Sequence, residues 1–390
     1  MTAALRRAFI FAGRLAAGIL HPDRLSSLVL FVTDDCNAKC PHCFNIFLPH
    51  LKAAGLPVRQ PLLTLDEYAL IAAQLAPLFQ VILSGGEPFL REDIDAIVET
   101  FYARAGARLF SVPTNGSMPD RVLRKFERMA TSCPDATFNL IVSLDACGGK
   151  HDELRRLPGG FEKAVSLCSA ILGMKARLGN VNLVVTTAVA EQNLEDVPEL
   201  VRFLRTALPS AGWHHNIQYD QRLGSRLARD PDLRRKVLEV ENLAAGDRGG
   251  SLWNRMIARW YVRYINSLIL HQLSQQKMVY HCSGGKKIAV IMPDGATSPC
   301  EPFVFEERYR AFPQFNIRRY QYDYDKVRND PGFARLLQYI DKGQCAACPW
   351  SCAATTSMTY DWRNWRLLFT VPSSRAQLRS WNSPSSTAGN

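Results

Sequence analysis

The sequence predicts an α/β protein: a parallel sheet of six β-α units curled into a partial (β/α)6 TIM-like barrel, followed by a small C-terminal domain of β-hairpin plus helix. Three observations predict it. Between Ser27 and about Asp220, short apolar runs alternate with amphipathic stretches of helical length, and parallel neighbours need such crossover helices. Cys36, Cys40 and Cys43 follow the first apolar run at C-x3-C-x2-C spacing. A second set, Cys282, Cys300, Cys345, Cys348 and Cys352, brackets a strand-turn pattern in the last third of the chain.

Residues 1–26 come first as a basic amphipathic helix, with Leu5, Phe9, Ala12, Leu15 and Ile19 at helical spacing beside Arg6, Arg7 and Arg14. Two readings stay open for it, a helix packed over one end of the barrel and a helix lying on a membrane surface, where residues 1–25 would make peripheral contact. Arg14 interrupts the apolar region and no small-residue cleavage site follows, which argues against an export signal. No run reaches the ~18 apolar residues of a membrane span.

The strands are expected at Leu28–Val32, Val81–Leu83, Leu109–Val112, Leu140–Leu144, Leu183–Thr187 and Ile217–Tyr219. The helices between them are Leu65–Ala76, opened by a Thr64/Glu67 capping box and stopped by Pro77, then Glu92–Ala103, Pro119–Met129, Phe161–Ala176 and Leu194–Leu204. Residues 226–280 read as a helical linker, in which Trp253–Gln276 carries Trp260, Tyr261, Tyr264, Leu268 and Leu273 among Arg255, Arg259 and Arg263. An aromatic stripe at helical spacing is core more often than an anion grip. Ile288–Met292 followed by Pro293-Asp294-Gly295 predicts a hairpin. Residues 366–390 form a tail rich in Ser, Arg and Asn and are expected to be partly disordered.

With 390 residues, 47% hydrophobic and 21% charged, the chain has room for one large core and a smaller one. Its formal charge of +11 comes without a run of five basic residues, so it argues for general anionic attraction and not for nucleic acid. Eleven cysteines in close clusters favour metal ligands in a reducing compartment over disulfides. The address expected is therefore cytoplasmic, at most peripheral to the inner membrane.

Reactive residues of such sheets gather at the C-terminal ends of strands. Those ends carry the cysteine loop, then Ser84-Gly85-Gly86-Glu87-Pro88, Pro113-Thr114-Asn115-Gly116 and Ser143-Leu144-Asp145-Ala146-Cys147. Each of the last three is ordinary turn chemistry taken singly. Three thiolates can hold a four-iron cluster and leave one iron open.

The combination of Cys36, Cys40, Cys43 with Gly85-Gly86-Glu87-Pro88 resembles the radical S-adenosylmethionine (radical SAM) superfamily over residues 27–225. The resemblance implies a [4Fe-4S] cluster on those cysteines, S-adenosyl-L-methionine (SAM) on its open iron, and Gly85, Gly86, Glu87 and Pro88 around the SAM amino group. It implies that His42 sits against adenine, that Thr114, Asn115 and Ser143 line the rest of the cofactor, and that Arg155 meets the SAM carboxylate. A flavodoxin- or ferredoxin-type donor would supply the electron for a 5′-deoxyadenosyl radical, which takes a hydrogen atom from the substrate. Cys147 then becomes a candidate hydrogen-atom donor, the alternative being a partly buried turn residue. Cys133 and Cys168 read as buried small hydrophobes.

On spacing alone the second cysteine set fits zinc as well as iron-sulfur. C-x12-G-x4-C followed by C-x2-C looks like the SPASM or shorter twitch extension, which places one auxiliary [4Fe-4S] cluster on Cys282, Cys300, Cys345 and Cys348 within residues 281–365, with Cys352 as a spare thiol or alternative ligand. The function this implies is a radical SAM oxidoreductase that oxidises or rearranges a small polar, sugar-like molecule, with Gln218 and Asp220 as substrate contacts. The alternatives are a maturase of ribosomal peptides, disfavoured because few residues precede the first strand, and a membrane-surface metal-binding scaffold.

Overall fold

The structure, a computed structural model, describes residues 2–43, 61–209, 212–220, 223, 226–227, 229–244, 252–309, 311–345 and 347–371, the side chains of 244, 252–263 and 307 excepted. Six parallel strands, β1 (Ser27–Thr33), β2 (Gln80–Gly85), β3 (Leu109–Thr114), β4 (Thr137–Ser143), β5 (Val181–Val189) and β6 (Trp213–Tyr219), lie side by side in chain order. The sheet is open, with β6 at one edge among the described residues.

Helices cover the outer face: α2 (Leu65–Gln74), α3 (Ile94–Arg104), α4 (Pro119–Ser132), α5 (Gly148–Arg155), α6 (Gly160–Leu178) and α7 (Val197–Ala207). Alternation along the strands explains why. Leu28 and Leu30 of β1, Val81 and Leu83 of β2, Phe110 and Val112 of β3, and Phe138 and Leu140 of β4 all enter one apolar core beneath the helices, while residues one step on in sequence point to the concave face. The Thr64/Glu67 capping box forms as predicted, with Glu67 N–H donating to Thr64 Oγ1 at 3.3 Å and Thr64 N–H to Glu67 Oε2 at 2.9 Å.

Several elements differ from expectation for identifiable reasons. Strand β6 begins at Trp213, four residues before the predicted Ile217, because His214 and Asn216 point to the concave face and break the apolar run. Helix α7 starts at Val197 and not Leu194. Asn193 is spent on the preceding turn, accepting from Ala190 N–H at 2.8 Å and donating to Ala188 O and Asp145 O, both at 2.9 Å. Helix α5 was legible only as a motif around His151–Arg155.

The linker contains α8 (Pro231–Ala244) and α9 (Leu252–Gln275), and Tyr264, Leu268 and Leu273 of α9 are core as expected. Trp260, Tyr261, Arg255, Arg259 and Arg263 lie outside the described side chains, and residues 372–390 of the tail outside the described residues. The predicted hairpin is β7 (Ile288–Ile291) with β8 (Ala296–Ser298), antiparallel, joined by β9 (Phe315–Asn316). It does not form a separate sheet: β7 pairs parallel with β1, Leu28 opposite Ala289 and Leu30 opposite Ile291. Strand β1 is therefore buried at all seven positions. Val29 and Phe31 on its concave face pack against Val290, Met292 and Phe305.

Helix α10 (Pro331–Asp341) and α11 (Ser351–Tyr360) complete the C-terminal part. The amino-terminal helix α1 (Ala3–Leu20) crosses the end of the barrel where the strands begin. Arg7 reaches Gly179 O at 3.0 Å, just before β5, and Phe11 meets Phe79, just before β2, with ring centroids 4.9 Å apart.

Candidate functional site

The cysteine loop leaves the C-terminal end of β1, and the turn after β2 is fastened to it by backbone. Gly86 N–H donates to Thr33 O at 2.9 Å and Glu87 N–H to Asp35 O at 2.8 Å. A Cβ on Gly86 would stand 2.1 Å from Asp35 O, and one on Gly85, whose φ is +145°, 2.4 Å from Thr33 O. The glycine pair is thus required for close approach of two backbones, the arrangement that sets Glu87 beside the cysteines.

Glu87 is buried and accepts three hydrogen bonds: Asn115 N–H at 2.7 Å, Thr114 Oγ1 at 2.9 Å and Phe89 N–H at 3.3 Å. Burial pushes its carboxyl up to about 7, against the pull of the Asn115 amide and the Thr114 hydroxyl. Asn115 donates through Nδ2 to Asn37 Oδ1 at 2.7 Å, and Asn37 donates to Ser117 Oγ at 2.8 Å. Asn37 and Ser117 carried no role in the sequence reading; the Asn-x-x after Cys36 and the Asn-Gly-Ser after β3 are unremarkable until they meet.

A second hub holds the other side of the loop. Asp145 is fully buried, with His42 Nε2 3.1 Å and Arg155 Nη2 2.7 Å from its Oδ2. Its Oδ1 accepts from Ala188 N–H at 2.9 Å, and its own N–H donates to His151 Nδ1 at 3.1 Å. Burial opposes ionisation, yet Arg155 and His42 outweigh it and hold the carboxyl well below the usual range. The carbonyl of Arg155 accepts from Lys39 N–H at 3.1 Å, so α5 also ties down the loop. His42 and Arg155, expected from the resemblance at adenine and at the SAM carboxylate, here share one carboxylate. Ser143 lies at the end of β4 on the concave face, opposite Thr186, and Pro88 opens the turn that Glu87 caps.

Cys36 is exposed, Cys40 buried and Cys43 half-buried. Burial pushes the Cys40 thiol up to about 12, opposed by Arg155, and Cys36 and Cys43 each raise it further by proximity. Among the described residues no group of three or more His, Cys, Asp or Glu side chains is arranged to hold a metal ion. A four-iron cluster needs no such tight convergence, since each thiolate binds a different iron. Three neighbouring thiols beside an arginine and a glycine-built cradle fit that group.

The second cysteine set also assembles. Burial raises the Cys300 thiol well above its ordinary value, with Cys282, Cys348 and Cys345 adding to it. Tyr280, whose buried hydroxyl has no hydrogen-bond partner, is raised by burial and by Cys348, Cys282, Cys352 and Cys300 in turn. An orphaned donor beside Cys282, Cys300 and Cys348 fits a bound sulfide-bearing group. Cys352 instead donates to Glu301 Oε1 at 3.0 Å.

Cys147 groups with the outer helix layer: burial raises its thiol to about 11, followed by Glu199 of α7 and Asp196 at its N-cap. Cys133 and Cys168 are buried in the core. Gln218 is exposed on the concave face of edge strand β6, opposite Ala188, and Asp220 follows the strand.

Residues 30–204 match the model of the radical SAM superfamily. Pre-heme d1 synthase of Dinoroseobacter shibae is 30% identical over 190 residues, 48% of this chain and 42% of that protein. AdoMet-dependent heme synthase of Methanosarcina barkeri is 27% identical over 168 residues, 43% of either chain. GTP 3′,8-cyclase of Stenotrophomonas maltophilia is 32% identical over 150 residues, 36% of this chain and 42% of that protein. The chain thus spans less than half the length of these curated relatives. The solved structure of anSMEcpe with bound AdoMet superposes with a TM-score of 0.54 over 92% of this chain and 98% of that one, at 15% identity, a likeness of fold. The likeness to the radical SAM superfamily thus spans residues 30–204, the stretch that carries the cysteine loop, the glycine turn and Arg155.

Proposed function

We propose that the chain is a radical SAM oxidoreductase acting on a small polar, sugar-like molecule held against the concave face of the sheet, with an auxiliary [4Fe-4S] cluster on Cys282, Cys300, Cys345 and Cys348. The observation that carries the substrate class is the polarity of that face. Asn182 donates to Asn139 Oδ1 at 3.2 Å and Asn139 to Ser111 Oγ at 3.3 Å, a ladder across β5, β4 and β3. Nearer the C-terminal ends of the strands the same face carries Asn216 opposite Thr186 and Gln218 opposite Ala188. Hydroxyl groups find partners on such a surface, and a large apolar substrate would leave its amides unpaired.

A cluster on Cys36, Cys40 and Cys43 with SAM bound would supply a 5′-deoxyadenosyl radical for hydrogen-atom abstraction. The residues around it do the rest. Gly85 and Gly86 bring Glu87 to the cysteines, where its remaining lone pairs can receive an ammonium group. Thr114 and Asn115 keep that carboxylate oriented. Asp145 positions His42 and Arg155, whose cationic head faces Cys40 and Cys43. Of the proposed auxiliary ligands, Cys282, Cys300 and Cys345 pack in the core that also holds Ala289 and Ile291 of β7, across the sheet from Gln218 on β6.

Anaerobic reconstitution followed by iron analysis tests both halves. About eight irons per chain are expected, falling to about four in Cys282→Ala. Formation of 5′-deoxyadenosine should cease in Cys40→Ala, and its survival there would remove the central claim.

A further inference from the structure

Helix α1 lies on the protein with its polarity reversed. A surface helix normally buries its apolar stripe and exposes its charges. Here Leu5, Phe9, Ala12, Ala16 and Leu20, spaced by three or four residues and so on one face, are all exposed, Leu5 at 63%, Phe9 at 77% and Leu20 at 74%. The arginines turn inward or sideways. Arg7 bonds Gly179 O, Arg14 fills the space beside Gly106, and Arg6 pairs with Asp135 at 2.8 Å. The face opposite, at Gly18, is closed by Tyr360.

Tyr360 leads into a second exposed apolar element. Trp362 is 72% exposed and Phe369 90%, with Trp365 between them, and Arg363 and Arg366 in the same stretch are exposed. Exposed Arg24 and Arg104 stand at the same end of the barrel, after α1 and at the C-terminus of α3. Among the described residues no helix is long and apolar enough to cross a membrane.

We propose that α1 and residues 362–369 together form a membrane-surface anchor that seats the barrel's strand-starting end on a bilayer containing anionic lipid, leaving the cysteine loop facing away. Apolar side chains enter the headgroup boundary, Trp362 and Trp365 sit at its level, and Arg24, Arg104 and Arg366 meet lipid phosphates. Charge complementarity selects this occupant over a second copy of the chain. Self-association would set one basic rim against another on molecules of formal charge +11.

Flotation of the full-length chain with vesicles tests the anchor independently of any enzymatic activity. The chain should float with phosphatidylcholine vesicles containing phosphatidylglycerol and remain behind with phosphatidylcholine alone. The double substitution Phe9→Glu, Leu20→Glu should abolish flotation, Trp362→Ser with Phe369→Ser should weaken it several-fold, and Leu70→Glu, an exposed apolar position on α2, should leave it unchanged. All substituted positions are exposed, and circular dichroism verifies folding; the two variant pairs lie on separate elements, so either alone is decisive. Equal flotation on both vesicle types, binding unaffected by both pairs, or a dimer that Phe9→Glu dissociates without any vesicle binding each overturns the proposal.

Discussion

Asp145 Oδ2 lies 2.7 Å from Arg155 Nη2, and the carboxylate is fully buried at the point where the cysteine loop, α5 and β5 converge. The same oxygen is 3.1 Å from His42 in the loop itself. One carboxylate therefore sets the position of the segment that carries Cys40 and Cys43.

Replacing it follows from that geometry. In Asp145→Asn, Arg155 keeps its charge and loses its counter-ion, and breaking one member of a buried pair costs ~3–5 kcal/mol. Denaturant unfolding of the cluster-free chain should show a loss of that order, while Glu153→Gln on the exposed face of α5 should change stability little.

The contact between the turn after β2 and the cysteine loop predicts a second effect. In Gly86→Ala the new methyl meets the Asp35 carbonyl, which is backbone and cannot swing aside, so the two segments must separate at a cost of ~1–3 kcal/mol. Iron retained after anaerobic reconstitution should fall together with the melting temperature. Retention at the level of the unsubstituted chain would mean that the approach is not needed.

Acid stability should depend on Glu67. Hydrogen bonding from Arg318 lowers its carboxyl to about 2, opposed by burial and assisted by Thr64 N–H and the Tyr322 hydroxyl. A carboxyl whose folded value lies below its unfolded one near 4.5 stabilises fully above that pH and loses the contribution as pH falls toward 2. Glu67→Gln should lower stability at neutral pH and flatten the slope between pH 4.5 and 2, measured by unfolding at stepped pH.

Lys287 predicts how α1 is held. Its buried ammonium donates to Gly18 O at 2.6 Å and Arg24 O at 3.1 Å, and also to His21 O, carbonyls at and beyond the helix C-terminus, where cations are favoured. Lys287→Met strands those carbonyls, at ~1–3 kcal/mol for each one left unsatisfied. Limited proteolysis followed by intact-mass analysis should show cleavage near residues 20–26 well before that in the unsubstituted chain.

How much of this was legible in sequence differs by element. The C-x3-C-x2-C spacing, Gly85-Gly86-Glu87, the Thr64/Glu67 box and most strands could be read directly, because each depends on residues a few positions apart whose periodicity or hydrogen-bond reach is local. Strand β6 and α7 were shortened or shifted because concave-face polarity at His214 and Asn216, and the diversion of Asn193 to a turn, cannot be weighed without neighbours.

What the tertiary structure alone decided are the partners. Asp145 joins residues that are 103 and 10 positions away, Asn37 and Asn115 are 78 apart, and β7 extends the sheet beside β1 across most of the chain. The sequence determined which side chains could ionise, ligate or turn. Which of them share one buried carboxylate, and which helix turns its apolar face outward, depended on packing, since local propensity is blind to what a fold brings alongside.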